Sequence, residues 1–600
     1  MALSLHGLRV KIAAAAVIRY GARRAAWLPG GQRAVLGASR RIAPASRDEE
    51  TGSYRGLLAQ MLRESVDGAS GDSGSVDGNA VDGAAGGAPR GLVYDPIAGL
   101  VLGPLTAAED VTAAERAFDA APENPTAVWK LGRALFAAGE TTRGLELMDT
   151  AVAAEPSAAK LVALAGSYRK PYIAEFETSL RLYQQALELN PNDLRAVEGI
   201  INAGARSSFD WPLIWSGSAQ LKPTKGPLAS PALWAQVKPI FAQEPSTEEI
   251  TKAEAALESV AGDAHRLHQL LLEVLIVRFQ FLRRFSIAAQ LRDAMARNRV
   301  RELRGIPLES ALWLKHLLGA YIHLGSAGKA AAVAARPPVD TAAPLTRIQL
   351  EKLRADVALF SGDPGPLQAY AAARRAEFPV EADERMAELV TGKRVAIVGP
   401  AATDEEFGEL IESFDVIVRT RARGPLTPED VRRSGRRTDI AYYNGRDLGS
   451  MWADADDAAR SGTLKLAVAR PFYASLVAEK PAWLRFSRSE FGLYFRGTSL
   501  GLQRMVYDLL QFAPAEIGLF GADFYVGEQS YPAGYRTHAG FGPHSPLNDI
   551  VMVHDLAFER RLMQAFCATG VLNPYGIAEE VLNLADAEYL DRLERSSGLR

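Results

Sequence analysis

The stretch RVAIVG, residues 394–399, marks the point where helical periodicity gives way to short β-branched runs. It ends in a glycine, which is typical of a buried strand that leads into a turn. Similar runs follow at DVIVRT (415–420), DIAYYN (439–444), KLAVAR (465–470), EIGLFG (516–521) and, last, VLNPYG (571–576). Amphipathic stretches such as SLGLQRMVYDLLQFA (499–513) lie among them. Strands that alternate with helices predict a mostly parallel sheet covered on both faces, and we expect this α/β domain over residues 386–600.

Ligands of such sheets bind beyond the carboxyl ends of the strands, so the residues that follow each strand form a candidate site. At these ends the chain carries Gly399, Arg421, Asn444, the R-G-T-S run Arg496–Ser499, and the loop GADFYVGEQSY (521–531) with Asp523, Tyr525 and Tyr531. The two phenols of that loop are six residues apart. They either pack over the sheet edge or present their hydroxyl groups to a bound molecule.

Several common enzyme classes lack their motifs here. The first strand runs into GPAATD (399–404) without a G-x-G-x-x-G fingerprint, and the chain has no Walker A motif. A dinucleotide dehydrogenase and a P-loop enzyme are therefore not supported. The D-x-D pair Asp454 and Asp456 lies in an Ala/Asp-rich stretch that reads as the surface of a helix or loop.

Three of the eight histidines, His538, His544 and His554, fall in one short segment. The segment has no cysteine and no H-x-x-x-H spacing, so general acid–base chemistry fits it better than metal binding. His554 opens HDLAFERRLMQAF (554–566), an amphipathic helical stretch. If His554 caps this helix, Glu559 lies about one turn inside it and can orient the ring. An ordinary capped helix is the alternative.

Before the sheet, the chain has a helical repeat. Prolines recur 34 and 35 residues apart, each five residues after an alanine: Pro122, Pro156 and Pro191 follow Ala117, Ala151 and Ala186. Within the middle unit, Val128, Leu131, Gly132 and Leu135 lie 28, 25, 24 and 21 residues before Pro156. This pattern resembles the tetratricopeptide repeat, a helix–turn–helix of about 34 residues. We expect an α-helical, tetratricopeptide-like domain over residues 91–385, with protein binding as its default role.

Residues 1–90 differ from the rest of the chain. The first 47 residues carry nine Arg and Lys and no Asp or Glu, and a Gly/Ser/Asp-rich linker follows. The basic segment reads either as a disordered tail or as an amphipathic segment for an anionic membrane surface. A formal net charge of −3 gives no reason to propose nucleic acid as a partner. The single cysteine, Cys567, indicates a reducing compartment, so we expect a cytoplasmic protein with a candidate peripheral contact at the inner face of the membrane.

Residues 393–575 resemble the sialyltransferases, both the animal and the bacterial families. VAIVG…ESFDVIVRTRARGP is similar to their first long motif, and RGTSLGLQRMVYDLL…AEIGLFGADFY is similar to their second. Tyr525 and Tyr531 match two tyrosines of the bacterial family with the same separation, and HDLAFE matches the short H-x-x-x-x-E motif of the animal enzymes. The resemblance implies a Rossmann-like sheet of the sialyltransferase type, a GT-A variant.

The same resemblance implies an inverting glycosyltransferase that transfers sialic acid or a related nonulosonic acid from a CMP-sugar to a glycan acceptor, without a metal or other cofactor. His554 would act as the general base, with Glu559 beside it and His544 as the second histidine or alternative base. Tyr525 and Tyr531 would stabilise the leaving phosphate. The donor would be bound by Gly399, Arg421, Asn444, Arg496, Thr498, Ser499 and Asp523.

The chain departs from the family at two positions. Pro400 and Ala401 follow the first-strand glycine where an asparagine is usual, and Arg421 stands at the place of a second asparagine. Both asparagines contribute to the donor pocket. A CMP-Kdo-type transferase therefore stays open as an alternative. So does a tetratricopeptide scaffold for polysaccharide assembly with a degenerate transferase domain, as does another nucleotide-dependent α/β enzyme.

Overall fold

A computed structural model describes residues 90–596 except 105, 171–172, 208, 219–220, 305–310, 337–343, 403, 423–425, 444–446, 472–476, 478–479, 529–549 and 551–552. The basic segment and linker of residues 1–89 lie outside the described residues, as do Asn444, Tyr531, His538 and His544. The predictions made for these positions stay predictions.

Helices occupy most of the first part of the described chain. They are α1 Thr106–Ala120, α2 Pro125–Ala137, α3 Thr141–Ala154, α4 Ala158–Tyr168, α5 Phe176–Leu189, α6 Leu194–Gly204, α7 Trp211–Ser218, α8 Pro231–Val237, α9 Thr247–Glu258, α10 Gln269–Phe281, α11 Phe285–Leu303, α12 Ala311–His323, α13 Ala327–Ala334, α14 Pro344–Phe360, α15 Gly365–Glu377 and α16 Glu381–Val390. Short 3₁₀ turns lie at Pro227–Ala229, Lys238–Phe241 and Ala264–Arg266. The prediction of a helical region is confirmed.

The first helices form hairpins whose sequence explains their close packing. In the pair α2–α3, a Cβ added at Gly132 would stand 2.9 Å from the carbonyl oxygen of Gly144, so only glycine allows the two backbones to approach this closely. Asn124 caps α2, since its side chain accepts a hydrogen bond from the N–H of Thr126 at 2.9 Å. Both α3 and α5 end two residues before a repeat proline. The assignment to the tetratricopeptide family itself stays a prediction.

A β-hairpin precedes the helices, and the sequence analysis does not predict it. Strand β1 (Arg90–Asp95) pairs antiparallel with β2 (Gly99–Pro104). Gly99 closes the turn with a positive φ of 87°, a conformation that favours glycine. The hairpin adds a β element to a region predicted as helical throughout.

The second part of the chain contains a seven-stranded parallel sheet in the order β7-β6-β5-β4-β3-β8-β9. The strands are β3 Arg394–Val398, β4 Val416–Thr420, β5 Ile440–Tyr442, β6 Leu466–Ala469, β7 Leu484–Phe486, β8 Glu516–Phe520 and β9 Leu572–Pro574. The prediction of a mostly parallel sheet is confirmed, and each strand-like run holds a strand. Only β7 lies outside those runs. The chain order reverses between β3 and β8, the fifth and sixth strands of the sheet.

Successive residues of each strand face opposite sides of the sheet, so one strand contributes side chains to a hydrophobic core on each face. On β3, Val395 and Ile397 belong to a core that includes α21 (Gly501–Leu510) and α22 (Leu556–Cys567). Ala396 and Val398 pack instead with Ile411 of α17 (Gly408–Glu412). The helices of this part are α17 Gly408–Glu412, α18 Pro428–Ser434, α19 Asp447–Ser450, α20 Trp452–Arg460, α21 Gly501–Leu510, α22 Leu556–Cys567, α23 Ile577–Leu582 and α24 Asp586–Arg595.

One hydrophobic core runs through both parts of the chain. The same cluster of buried side chains extends from Ile97 and Trp211, through the helices, to Ile397 in the sheet and Leu593 in α24. Asp383 of α16 adds a polar connection, because its carboxylate pairs with Arg485 of β7 at 2.7 Å. In the described part of the chain, no helix is long and apolar enough to span a bilayer.

Candidate functional site

The carboxyl edge of the sheet brings two helix N-termini to the candidate rim. Because α21 leads into β8 and α22 leads into β9, each helix runs antiparallel to the strands and starts where the strands end. The run Arg496–Ser499 lies just before α21, as predicted, and His554 lies just before α22.

His554 is held by groups on either side of it. Its Nδ1 lies 2.7 Å from the carbonyl oxygen of Thr498 and 3.4 Å from Oε1 of Glu559. A carbonyl oxygen can only accept, so Nδ1 carries the hydrogen and donates it. In the neutral ring, Nε2 is then the unprotonated nitrogen, and it makes no hydrogen bond with any described residue. The predicted pairing of His554 with Glu559 is confirmed as a contact.

Glu559 is 1% exposed and joins α22 to the residues before α21. The Tyr494 hydroxyl donates to its Oε2 at 2.7 Å, and the N–H of Leu500 donates to its Oε1 at 3.0 Å. Burial raises the pKa of the Glu559 carboxyl above its ordinary value, although the hydrogen bonds from His554, Tyr494 and Leu500 oppose this shift. Glu559 therefore joins α22 to Tyr494 and Leu500, in addition to its contact with His554.

The prediction that His554 caps α22 is wrong. Asp555 is the N-cap, and its side chain accepts from the N–H of Phe558 at 3.1 Å. A carboxylate at this position satisfies a free N–H and also faces the positive end of the helix dipole. The imidazole of His554 is therefore available to contact Thr498 and Glu559 instead.

Helices α10, α11 and α12 of the helical part contact the segment His554–Asp555. Arg292 of α11 pairs with Asp555 at 2.9 Å, and His323 of α12 lies 3.6 Å from the other oxygen of the same carboxylate. Gln280 of α10 donates through Nε2 to the carbonyl oxygen of His554 at 3.0 Å. The side chains of Arg292, His323 and Asp555 are all buried. The segment that carries His554 is therefore held by three helices that lie far from it in sequence.

Gly497 allows the R-G-T-S run to pack closely against the segment that carries His554. Its φ is 81°, and a Cβ at this position would stand 2.5 Å from the carbonyl oxygen of Val553. A side chain at residue 497 would separate the two segments, because backbone atoms cannot yield to it. Arg496, next to it, has a nitrogen 3.9 Å from the carboxylate of Glu273 on α10.

The turn after β8 has an unusual backbone. Phe524 and Tyr525 have φ values of 49° and 67°, which non-glycine residues rarely adopt. Asp523 stabilises the turn, because its Oδ1 accepts from the N–H of Tyr525 at 3.1 Å. Burial raises the pKa of the Asp523 carboxyl, and its Oδ2 has no hydrogen-bond partner among the residues that the structure describes. Two consecutive residues of this kind are typical of functional turns.

This turn lies beside the histidine segment. The Tyr589 hydroxyl is 3.0 Å from the carbonyl oxygen of Phe524 and 3.4 Å from that of Leu556, so one phenol contacts both stretches. Tyr525 itself is half-buried and packs against the main core. Tyr531 lies outside the described residues, so the convergence of the two phenols on one phosphate stays a prediction.

Gly399 and Arg421 lie at the ends of β3 and β4, as predicted. The N–H of Gly399 donates to the carbonyl oxygen of Phe520 at 2.8 Å, and its missing side chain admits the backbone of Gly521. Close packing of two strand ends therefore accounts for this glycine. Arg421 has a φ of 81°, where an asparagine is more readily accommodated than an arginine.

A cavity of about 200 Å³ opens beside the R-G-T-S run and contains residues that the sequence analysis missed. Its walls include Tyr94 of the hairpin, Lys315 of α12, Arg470 after β6, and Glu490. Arg470 ends the run KLAVAR, so its position was available from the strand pattern. Tyr94 and Lys315 could not be found in this way, because only tertiary packing brings the hairpin and α12 to the rim.

The structure thus groups Arg496, Thr498, Ser499, His554 and Glu559, and sets Asp523 and Tyr525 beside them. Gly399 lies at the end of the strand next to β8, beside Gly521, and Arg421 follows β4, one strand beyond. Within the described ranges, no group of three or more His, Cys, Asp or Glu side chains has a geometry that could hold a metal ion.

No protein-family model matches the chain, and no curated protein matches it.

Proposed function

We propose that the protein is an inverting glycosyltransferase that transfers sialic acid or a related nonulosonic acid from a CMP-sugar to a glycan acceptor. One observation carries the proposal. His554 donates through Nδ1 to Thr498, beside the buried carboxyl group of Glu559, at the carboxyl edge of a parallel sheet. A histidine held in this way has the arrangement that general-base catalysis needs.

In the proposed reaction, the acceptor hydroxyl gives its proton to Nε2 of His554, which is the unprotonated nitrogen of the neutral ring. The acceptor oxygen forms a bond to the anomeric carbon as the bond from that carbon to the phosphate oxygen breaks. CMP leaves with the bonding electrons, and the configuration inverts. The carboxylate of Glu559 stabilises the imidazolium that forms, as an acidic partner does in serine hydrolases.

Tyr525 and Tyr531 are assigned to the leaving group. Their hydroxyls would donate to the phosphate as it gains charge, without adding a cation. The strained backbone at Tyr525 supports this assignment, since packing over a sheet edge does not require a positive φ. Thr498, Ser499 and Arg496 would lie against the anionic groups of the donor, ahead of the N-terminus of α21.

The finer fold assignments belong to the same proposal. We assign the sheet to the Rossmann-like, GT-A-variant architecture of sialyltransferases, and the helical hairpins to a tetratricopeptide-like domain that binds a protein or glycan carrier. The reversal of strand order between β3 and β8 supports the first assignment, because ligands of doubly wound sheets bind at such a point. The enzyme would work in the cytoplasm.

The test is the release of CMP by the purified full-length chain from CMP-sialic acid and from CMP-Kdo, across a broad acceptor panel. Turnover of either donor with inversion at the anomeric carbon, read by NMR of the product, is the expected result. No turnover of either donor across the panel contradicts the proposal. The full chain is required, because the core of the sheet is continuous with that of the helices.

A second candidate function is a polysaccharide-assembly scaffold with a degenerate transferase domain. Two features favour it: the missing asparagines after β3 and β4, and the positive φ of Arg421 in the donor region. Calorimetric titration of CMP into the full chain separates the two candidates. Binding in the micromolar to millimolar range supports the transferase, whereas the scaffold predicts none.

A further inference from the structure

The cavity beside the R-G-T-S run is walled by four separate parts of the chain. The hairpin contributes Tyr94 and Asp95, α12 contributes Lys315, the chain just after β6 contributes Arg470, and the loop before α21 contributes Thr498 and Ser499. Its volume of about 200 Å³ is room for several water molecules, each of which takes about 30 Å³ in the liquid. Since Thr498 also binds His554 through its carbonyl oxygen, the cavity adjoins the proposed base.

The hairpin wall is fixed from both sides. The N–H of Leu100 donates to the carbonyl oxygen of Arg488 in the sheet region at 2.8 Å. From the helical part, the Tyr370 hydroxyl donates to the carbonyl oxygen of Ala98 at 2.8 Å, and Gln349 donates to Asp95 at 2.9 Å. The cavity is therefore part of the fold and not a gap between loosely joined units.

Most charged groups on its walls already have partners. Arg470 contacts Glu490 through two hydrogen bonds of 2.8 Å each. Asp95 accepts from the N–H groups of Ile97 and Ala98 at 2.9 and 2.6 Å, in addition to Gln349. These hydrogen bonds hold the walls of the cavity in place. They also leave Arg470, Glu490 and Asp95 little capacity to bind a ligand.

Lys315 is the exception. It makes no hydrogen bond or ion pair with any residue in the described ranges, although it is half-buried. Burial and the charge of Lys352 lower the pKa of its ammonium group, while Asp356, Asp95 and Glu490 oppose the shift. An ammonium group with no partner in a partly enclosed site is unfavourable, and a bound anion would remove that cost.

Two hydroxyl groups are placed to assist. Ser499 is 4% exposed, and apart from its proximity to the Tyr494 hydroxyl its Oγ makes no hydrogen bond among the described residues. Tyr94 also lines the cavity. Burial and the charge of Glu490 raise the pKa of Tyr94 to about 12, so its phenol stays a neutral donor at physiological pH.

We propose that this cavity binds an anionic group of the substrate, a phosphate or a carboxylate, with Lys315 as the cation that recognises it and Ser499 as a hydrogen-bond partner. The helical part of the chain then supplies a substrate-binding residue to the sheet. This inference deepens the proposed function and rests on it for the identity of the substrate, a CMP-activated acidic sugar.

The test is calorimetric titration of CMP, free sialic acid and inorganic phosphate into the full-length wild type and into Lys315→Gln and Lys315→Arg. Lys315→Gln keeps most of the side-chain length and removes the charge, and it breaks no hydrogen bond or ion pair of the described structure. We expect it to weaken the binding of at least one probe about tenfold, the loss expected for one charge-assisted hydrogen bond. Lys315→Arg should keep most of the affinity. Lys329→Gln, on an exposed part of α13, is the matched control.

The pattern of losses identifies the bound group. A loss for CMP and phosphate alone assigns the cavity to the donor phosphate, whereas a loss for sialic acid alone assigns it to the sugar carboxylate. Equal binding of all probes by wild type and Lys315→Gln, or no binding of any probe, overturns the inference. Lys315-dependent phosphate binding without any CMP release would overturn the proposed function and keep the cavity assignment, so the two failures are distinguishable.

Discussion

Two hydrogen-bond acceptors decide the chemistry available to His554. Because Thr498 O and Glu559 Oε1 both face Nδ1, the other ring nitrogen is left to accept a proton. The sequence spacing of His554 and Glu559 correctly indicated their contact. Thr498 was predicted as a donor-binding residue, and its role in orienting the ring depends on a backbone atom that no residue pattern reveals.

Glu559→Gln tests whether the carboxylate does more than join two helices. The amide keeps an acceptor for the N–H of Leu500 but loses the charge that stabilises an imidazolium. We expect kcat to fall on the order of 100-fold or more, with a smaller change in KM for the donor. Glu580→Gln, a surface carboxylate paired with Arg592 on α24, should leave both constants unchanged. A Glu559→Gln enzyme with wild-type kcat and an altered Tm would reduce the residue to a structural role.

Tyr525→Phe removes one hydroxyl group from the strained turn. If that hydroxyl stabilises the departing phosphate, kcat for CMP release should fall on the order of tenfold or more. The matched control is Tyr183→Phe on α5, which removes a phenol from the helical part and should not affect kcat. An unchanged kcat for Tyr525→Phe would assign the residue to packing against the core.

At the level of elements, the strand pattern was the most reliable guide. Runs of β-branched residues located every strand of the seven-stranded sheet except β7, whose three residues, LRF, include no β-branched residue and have an arginine at the centre. The hairpin at the start of the described chain was missed because glycines and a proline interrupt the apolar residues of its strands, RGLVYD and GLVLGP, and a long helical region follows. The cap of α22 was assigned one residue early, since His554 and Asp555 are adjacent and either side chain can accept from a helix N-terminus.

Gly497→Ala tests the contact between the R-G-T-S run and the histidine segment. Gly226 provides the control, because it has the same φ of 81° but nothing within 4 Å of an added Cβ. Both substitutions incur the cost of a positive φ, about 1 kcal/mol, and only Gly497→Ala also forces the carbonyl of Val553 to move, for about 1–3 kcal/mol more. We expect Gly497→Ala to lower Tm more than Gly226→Ala and to reduce CMP release. Equal effects of the two variants would contradict this packing.

At the scale of the whole molecule, the helical part and the sheet share one core, which the sequence could not reveal. Periodicity assigns residues to helix or strand, but it does not say which helix face meets which sheet face. The change of pattern at residue 394 therefore marks a change of architecture, while the cluster from Ile97 to Leu593 joins both sides of it. The same packing brings Lys315 and Tyr94 to the rim.

Asp383 tests this junction through the pH dependence of stability. Burial by itself would raise the pKa of its carboxyl, but Arg485 and Arg488 outweigh burial and hold the pKa below its ordinary value. A lowered carboxyl pKa contributes stability above the unfolded pKa of about 3.9, and this stability is lost as pH falls through the lower, folded value. Asp383→Asn should therefore destabilise the protein by about 3–5 kcal/mol at pH 7, since it leaves buried guanidinium groups short of a partner.

The measurement is the urea midpoint of wild type and variant at pH 7 and near pH 3. The difference between the two proteins should shrink at the lower pH. Asp404→Asn, from an ion pair whose carboxylate is 98% exposed, should have little effect at either pH. A difference for Asp383→Asn that is equally large at both pH values would mean that the lost charge is not the cause.

The central claim is that His554 is the base of a CMP-sugar-dependent transfer. The most direct measurement is the rate of CMP release from CMP-sialic acid by full-length wild type and by His554→Ala, with His265→Ala as a histidine control from the helical part. The account predicts turnover by the wild type and the control, and a fall in kcat on the order of 10²- to 10⁴-fold in His554→Ala, with CMP binding retained. Equal turnover by wild type and His554→Ala would contradict it.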